Sequence, residues 1–183
     1  SSDLRPVHVA SADFDFNDET DLVIADQASD TLVLLSQNAG VFAEPEAYEA
    51  GAAPRAVAAV DVDGGGSPDA LVLAEDADSL ALRPGDGDLS LGGEIVYASP
   101  DVPRSLSVAN IDGGARPDFV SAQFGSDAVR VRLGADGPAL GATQLFAAVE
   151  GATCTATGDF DGDGSTDLVV GGIGGVVVLL GNP

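Results

Sequence analysis

The chain has 183 residues, 45% of them hydrophobic, which suffices to bury a core and rules out a disordered acidic tail. Thirty acidic residues against seven basic ones give a formal net charge of −23, which argues against a nucleic-acid partner or an anionic membrane surface. The single cysteine, Cys154, allows no intrachain disulfide.

No 3.6-residue apolar period is sustained anywhere, so short strands are expected rather than helices. In chain order, a small and apolar segment (7–12) leads into an acidic loop (13–21). Apolar segments at 22–24 and 31–35 follow, then the turn Asn38-Ala39-Gly40 and a more polar segment at 41–48. The same order recurs as 56–60, loop 61–69, 71–73, 79–82 and 91–97. It recurs again as 106–109, loop 110–118, 119–120, 128–133 and 139–147. The last copy runs 153–158, loop 159–167, 168–170 and 176–180, and then the sequence stops. Pro6, Pro54 and Pro103 stand just ahead of the first segments, where a missing N–H is harmless at a strand entry.

The loops begin at 13, 61, 110 and 159, spacings of 48, 49 and 49 residues, and a fixed period of this size means a repeat architecture. The repeats cover approximately 4–52, 53–101, 102–150 and 151–183, the last without its fourth strand. Four strands per repeat with turns at regular spacing predict an all-β fold. That fold is expected to be a β-propeller of four mostly four-stranded blades, with each acidic loop between the first and second strands. Ala10, Ala58, Ser107 and Ala156 share one slot, and their uniformly small size suggests a crowded site such as a strand lining a central axis.

The fourth loop is the most informative. Asp159, Asp161, Asp163 and Asp167 occupy positions one, three, five and nine, with Gly162 and Gly164 at four and six and the carbonyl of Ser165 at seven. Alternate carboxylates converge on a point only if the backbone wraps tightly, which glycine permits, and hard oxygen donors of this kind suit calcium. An EF-hand would need a bidentate Glu at position twelve, which here is Val170. Loop one offers Asp13, Asp15, Asn17, Asp21 and the carbonyl of Glu19. Loop two keeps Asp61, Asp63 and Asp69 but has Gly65 at position five, so water would replace one side chain. Loop three has Asn110, Asp112, Gly114 and Asp118, only two carboxylates, and Arg116 is expected to pair with them in place of a cation. The competing structural reading is a set of Asx-turns whose carboxylates cap backbone N–H groups.

The pattern A-x-x-D-F-D-G-D-G-x-x-D-L-V-V from Ala156 to Val170, followed by V-V-V-L-L-G-N from Val176 to Asn182, resembles the FG-GAP/VCBS-type calcium-binding β-propeller repeat, as in the integrin α-subunit head. The resemblance covers essentially the whole chain. It implies loops between the innermost and second strands of each blade, calcium on one face of a disc, and secreted or surface-exposed recognition modules. Rings in the family commonly have seven or so blades.

Together these observations lead to an extracellular, calcium-stabilised binding or scaffold module for protein–protein contact or self-association. Millimolar calcium outside cells would fill loop sites of modest affinity. A carbohydrate-binding surface domain is the alternative, weakened by the absence of Trp and by Phe residues that mostly follow the core pattern. A hydrolase or lyase ranks third. His8 and Cys154 fall at equivalent slots, shared with Ala56 and Ser105, and no catalytic residues are assigned; Cys154 is expected to be a small packed residue. The most apolar stretch, 168–180, is too short and too glycine-broken to span a membrane. Without a fourth strand, the edge around 176–180 is expected to pair with another copy or with further blades.

Overall fold

Short runs of β-branched and apolar residues, each cut off by a turn rich in glycine or aspartate, form strands along the whole chain. The computed structural model describes residues 4–137 and 139–182, and no helix occurs among them. None is therefore long and apolar enough to cross a membrane. The chain divides into two units, Ser1–Ala98 and Ser99–Pro183.

In the first unit, β1 (Pro6–Ala12), β2 (Asp21–Asp26) and β3 (Thr31–Leu35) run antiparallel. A two-stranded hairpin, β4 (Gln37–Asn38) and β5 (Val41–Phe42), precedes β6 (Glu46–Glu49), which returns to pair with β3. The second sheet follows as β7 (Pro54–Val60), β8 (Asp69–Ala74), β9 (Ser79–Arg83) and β10 (Ile95–Ala98), again each strand against its neighbour in sequence. In the second unit, β11 (Pro103–Ala109), β12 (Asp118–Gln123), β13 (Ala128–Arg132) and β14 (Thr143–Ala147) form a four-stranded sheet. The last sheet has three strands, β15 (Ala152–Gly158), β16 (Asp167–Gly172) and β17 (Gly175–Leu179). The register slips at the same place in every first strand, between Pro6 and His8, Pro54 and Ala56, Pro103 and Ser105, and Ala152 and Cys154. The prolines open their strands rather than preceding them.

The second strands carry apolar residues on both faces, as strands buried on both sides do. In the first unit, Val23, Ala25, Leu32 and Leu34 of the first sheet pack with Phe14 against Val57, Ala70 and Val72 of the second. In the second unit, Val120, Ala122, Val129 and Val131 of the third sheet pack against Leu168 and Val170 of the fourth, with Val177 and Leu179 at the margin. Each fully buried leucine or valine here contributes roughly 1.5–3 kcal/mol relative to exposure. The hairpin turns use left-handed aspartates, Asp30, Asp78 and Asp127, before the third strand. Asp30 and Asp127 then accept the N–H of Ala53 and Gly151 at 2.8 and 2.7 Å, tying the hairpin tip to the linker into the next sheet.

Several expectations are corrected. The fourth strands begin later and are shorter than the segments at 41–48, 91–97 and 139–147. Val41 and Phe42 belong to a separate hairpin, and Leu91 makes only an isolated bridge to Gly85. Cys154 is exposed rather than packed. In the small slot, Ala10, Ala58 and Ser107 are half-buried and Ala156 is exposed. Phe16, Phe42, Phe146 and Phe160 are exposed, so the core pattern holds for Phe14 and Phe119 but not for these four.

Asp26, at the end of β2, is buried, and its Oδ1 accepts the N–H groups of Arg5, Ala28 and Ser29. Burial pushes its carboxyl up, and these three donors outweigh that and hold it below its ordinary value. A depressed folded-state value contributes stability above the unfolded-state value and loses it as pH falls through the folded one. Asp26→Ala should therefore lower the melting temperature at neutral pH. The gap to the parent should close as the pH is taken below the ordinary carboxylate range, as followed by thermal melts across pH.

Candidate metal centres

Each acidic loop joins a first strand to a second, and its nine residues fold back on themselves through their own carboxylates. In loop four, Asp159 accepts the N–H groups of Gly162 and Gly164 at 2.7 and 3.0 Å. Asp161 accepts the N–H of Asp163, and Asp163 accepts that of Ser165. Loop two repeats the arrangement, with Asp61 bonded to the N–H of Gly64 and Gly66, and Asp63 to that of Gly65. The glycines at positions four and six have φ of 79° and 91° in loop two and 83° and 90° in loop four, a region that side chains rarely adopt. Loop one makes the same turn without glycine: Phe16 and Asp18 take φ of 58° and 65°. Asn17 braces it, donating to Asp15 Oδ2 and Gln37 O and accepting the N–H of Glu19.

The ninth residue behaves alike in all four loops. Asp21, Asp69, Asp118 and Asp167 are buried. One oxygen of each accepts the N–H of the loop's second residue: Phe14 (2.8 Å), Val62 (2.7 Å), Ile111 (2.6 Å) and Phe160 (2.7 Å). The other accepts the N–H of a residue past the third strand: Gln37, Gly85 and Gly134 at 2.8 Å and Gly181 at 2.7 Å. These carboxylates cap backbone groups in all four loops, and those of loops one, two and four also lie close to other acids.

Three loops bring oxygens of three carboxylates within 4.8 Å of one another: Asp13, Asp15 and Asp21; Asp61, Asp63 and Asp69; Asp159, Asp161 and Asp167. Asp163 stands outside the last set. The Asn17 side chain is taken up by Asp15, Gln37 and the Glu19 N–H, and Oε2 of Glu19 is buried with no hydrogen-bond partner among the described residues. Burial and neighbouring charge push two of these carboxyls up, and backbone donors hold a third down. Desolvation raises Asp15, the charges of Asp21 and Asp13 add to it, and the Asn17 N–H opposes it. Burial raises Asp69, with the charge of Asp63 adding against the N–H groups of Gly85 and Val62. The N–H groups of Gly181 and Phe160 hold Asp167 below its ordinary value. The donor set fits a hard divalent cation, being all oxygen, and a +2 ion would offset the gathered negative charge.

Loop three is built differently. Asn110 donates to the carbonyl of Gly114, reversing the role of the aspartate found in the other loops, and the Asp112 carboxylate accepts the Gly114 N–H. Arg116 does not neutralise this loop. Its Nε lies 3.3 Å from Asp136, in the turn after the third strand. Outside the loops, Nδ1 of His8 accepts the backbone N–H of Val57 at 3.3 Å.

Two of the solved structures similar to this chain show its fold. One is the lectin of Agrocybe aegerita that recognises non-reducing terminal N-acetylglucosamine, at 18% identity and a TM-score of 0.66 over 98% of this chain and 50% of the lectin. The other is BBS1N in complex with ARL6DN, at 14% identity and a TM-score of 0.62 over 98% of this chain and 53% of that one. The chain spans about half the length of each. At these identities the likeness is one of fold: all-β and propeller-like. No protein-family model matches the chain, and no curated protein sequence matches it.

The ninth-position role stands by itself in loop three, which lies outside the three-carboxylate sets. Asp118→Asn puts an amide donor where an oxygen accepts backbone N–H, leaving at least one of them unpaired at a cost of about 1–3 kcal/mol. Urea melts should register that loss equally with calcium and with a chelator.

Proposed function

We propose that the chain is a calcium-stabilised β-propeller module of four blades that works outside the cell as a binding or scaffold domain rather than as an enzyme. The observation that carries this reading is the recurrence, in loops one, two and four, of three carboxylates with oxygens within 4.8 Å of one another. Asp13, Asp15 and Asp21, with Asn17 and Glu19 beside them, would hold one ion. Asp61, Asp63 and Asp69 would hold a second, and Asp159, Asp161 and Asp167, with Asp163 and Ser165 beside them, a third. A bound cation supplies charge neutralisation, offsetting the carboxylate repulsion that adds to the burial lifting Asp15 and Asp69. Extracellular calcium is abundant enough to keep loops of modest affinity filled.

An ion that binds the folded state far better than the unfolded one stabilises by RT ln(1 + [Ca]/Kd), about 2.7 kcal/mol per site at a hundredfold excess. Chelation should therefore lower the melting temperature substantially. Asp161→Ala should lose more of the calcium response than Asp112→Ala, and magnesium should substitute poorly because it demands a tighter octahedral shell. Calorimetry with each metal checks all three; an equal response in the two variants would overturn the ranking of the loops.

A carbohydrate-binding reading is favoured by one observation, the exposure of Phe16, Phe42, Phe146 and Phe160, which offers the aromatic surface that sugars stack on. Phe146 lines an apolar cleft in the second unit, which adjoins a polar one lined by Asn110, Asp112, Ser165 and Asn182. The similarity to a lectin adds support. On a glycan array containing terminal N-acetylglucosamine, selective binding that is reduced in Phe146→Ala would favour this reading, whereas a scaffold would show no glycan preference.

A further inference from the structure

Loops two, three and four share one local design at positions three and four, an aspartate followed by a glycine: Asp63-Gly64, Asp112-Gly113 and Asp161-Gly162. In each, the aspartate Oδ1 accepts the N–H two residues on, from Gly65, Gly114 and Asp163 at 2.7, 2.7 and 3.1 Å. A bond of this kind holds the carboxyl group beside the intervening peptide, whose nitrogen belongs to the glycine. Without a Cβ on that glycine, no side chain screens the nitrogen.

The loops differ in what holds the glycine N–H. Gly64 donates to Asp61 Oδ1 at 2.6 Å, and Gly162 donates to Asp159 Oδ1 at 2.7 Å. Loop three has Asn110 in place of that aspartate, and its amide donates to Gly114 O at 2.7 Å. The Gly113 N–H has no hydrogen-bond partner among the described residues, and Asp112 and Gly113 are both exposed. The remaining Asp–Gly steps are engaged in other ways. Gly164 donates to Asp159 Oδ2 at 3.0 Å. Asp86 accepts the Ser90 hydroxyl and the Asp88 N–H, and a Cβ at Gly87 would lie 2.7 Å from Phe16 Cε2. Asp136 lies 3.3 Å from Arg116 Nε.

We infer that Asp112 is a site of spontaneous backbone modification, converted to isoaspartate through a cyclic imide with Gly113, and that the position-one aspartate shields the matching steps of loops two and four. The Gly113 nitrogen gives its proton to solvent and bonds to Asp112 Cγ, and the hydroxyl of the protonated carboxyl leaves as water. Water then adds to either carbonyl of the five-membered ring. Opening on one side restores aspartate, and opening on the other carries the main chain through Cβ and leaves the α-carboxylate as the side group. One water is lost and one regained, so no oxidant, cofactor or metal enters. A glycine N–H already committed to a carboxylate is held out of this attack, because its bond must break first. The product lengthens the backbone by a methylene between Ile111 and Asp118. Asp118 Oδ2 accepts the N–H groups of Ile111 and Asp112 at 2.6 and 3.2 Å, so loop three should loosen on its anchor as the modification accumulates.

The test is ageing of the folded protein at mildly acidic pH with a chelator, in water enriched in heavy oxygen. Each passage through the imide installs a labelled oxygen, which mass spectrometry of the digested chain locates, and fragmentation at N–Cα bonds separates isoaspartate from aspartate. Asp112 should gain label and isoaspartate severalfold faster than Asp63 or Asp161. Asn110→Asp, which supplies the acceptor the other loops carry, should bring Asp112 down to their rate. Asp159→Asn, the reverse exchange, should raise the rate at Asp161. In urea, Asp63 and Asp112, each followed by two glycines, should age alike. Equal rates in the folded parent, a preference for Asp112 that survives unfolding, or a rate at Asp112 unmoved by Asn110→Asp would each overturn the inference.

Discussion

A buried carboxylate at the ninth loop position, bonded on one side to its own loop and on the other to the chain leaving the third strand, is the contact on which each repeat depends. An anion removed from water is costly unless its oxygens are satisfied, and backbone N–H groups satisfy both oxygens of Asp21, Asp69, Asp118 and Asp167. The bond to the loop sets where the acidic turn closes, and the bond past the third strand sets where that strand ends. Loop three keeps this carboxylate although it has no acid at positions one and five, so the scaffold role does not require the full acidic loop.

The second bond also dictates a residue type. With the carbonyl of the loop's eighth residue drawn against the chain leaving the third strand, a Cβ there would lie 2.6 Å from Pro117 O at Gly134 and 2.6 Å from Thr166 O at Gly181. Repeat one avoids the constraint by sending Gln37 into a separate hairpin, and its loop tolerates Phe16 and Asp18 in left-handed conformations. The first loop is thus the most divergent in backbone chemistry while retaining a full carboxylate set.

Much of this was legible in the sequence because the signals are local. The third strands follow short apolar runs bounded by turns, and 128–133 became Ala128–Arg132. The acidic loops announce themselves by position and period. What was not legible depends on partners distant in sequence. That Asp118 also holds the chain leaving the third strand shows only once Gly134 is seen against it. Arg116 reads as a neighbour of Asp112 until the turn after the third strand brings Asp136 closer. The fourth strands lacked a distinguishing pattern, being polar and exposed on much of their length, as Glu46–Glu49 and Thr143–Ala147 are. Cys154 and Phe160 occupy packed slots by pattern and are exposed because nothing among the described residues covers that face.

The meander order has a kinetic meaning. In all four larger sheets each strand pairs with one near it in sequence, and no strand pairing reaches from one sheet to another. Chain closure for such short separations is entropically cheap, and low contact order goes with rapid formation. Each meander would therefore assemble early and on its own account. The stacking of one sheet's valines and leucines on the next would come later, so that folding proceeds by accretion along the chain and an end sheet is the natural place for further growth.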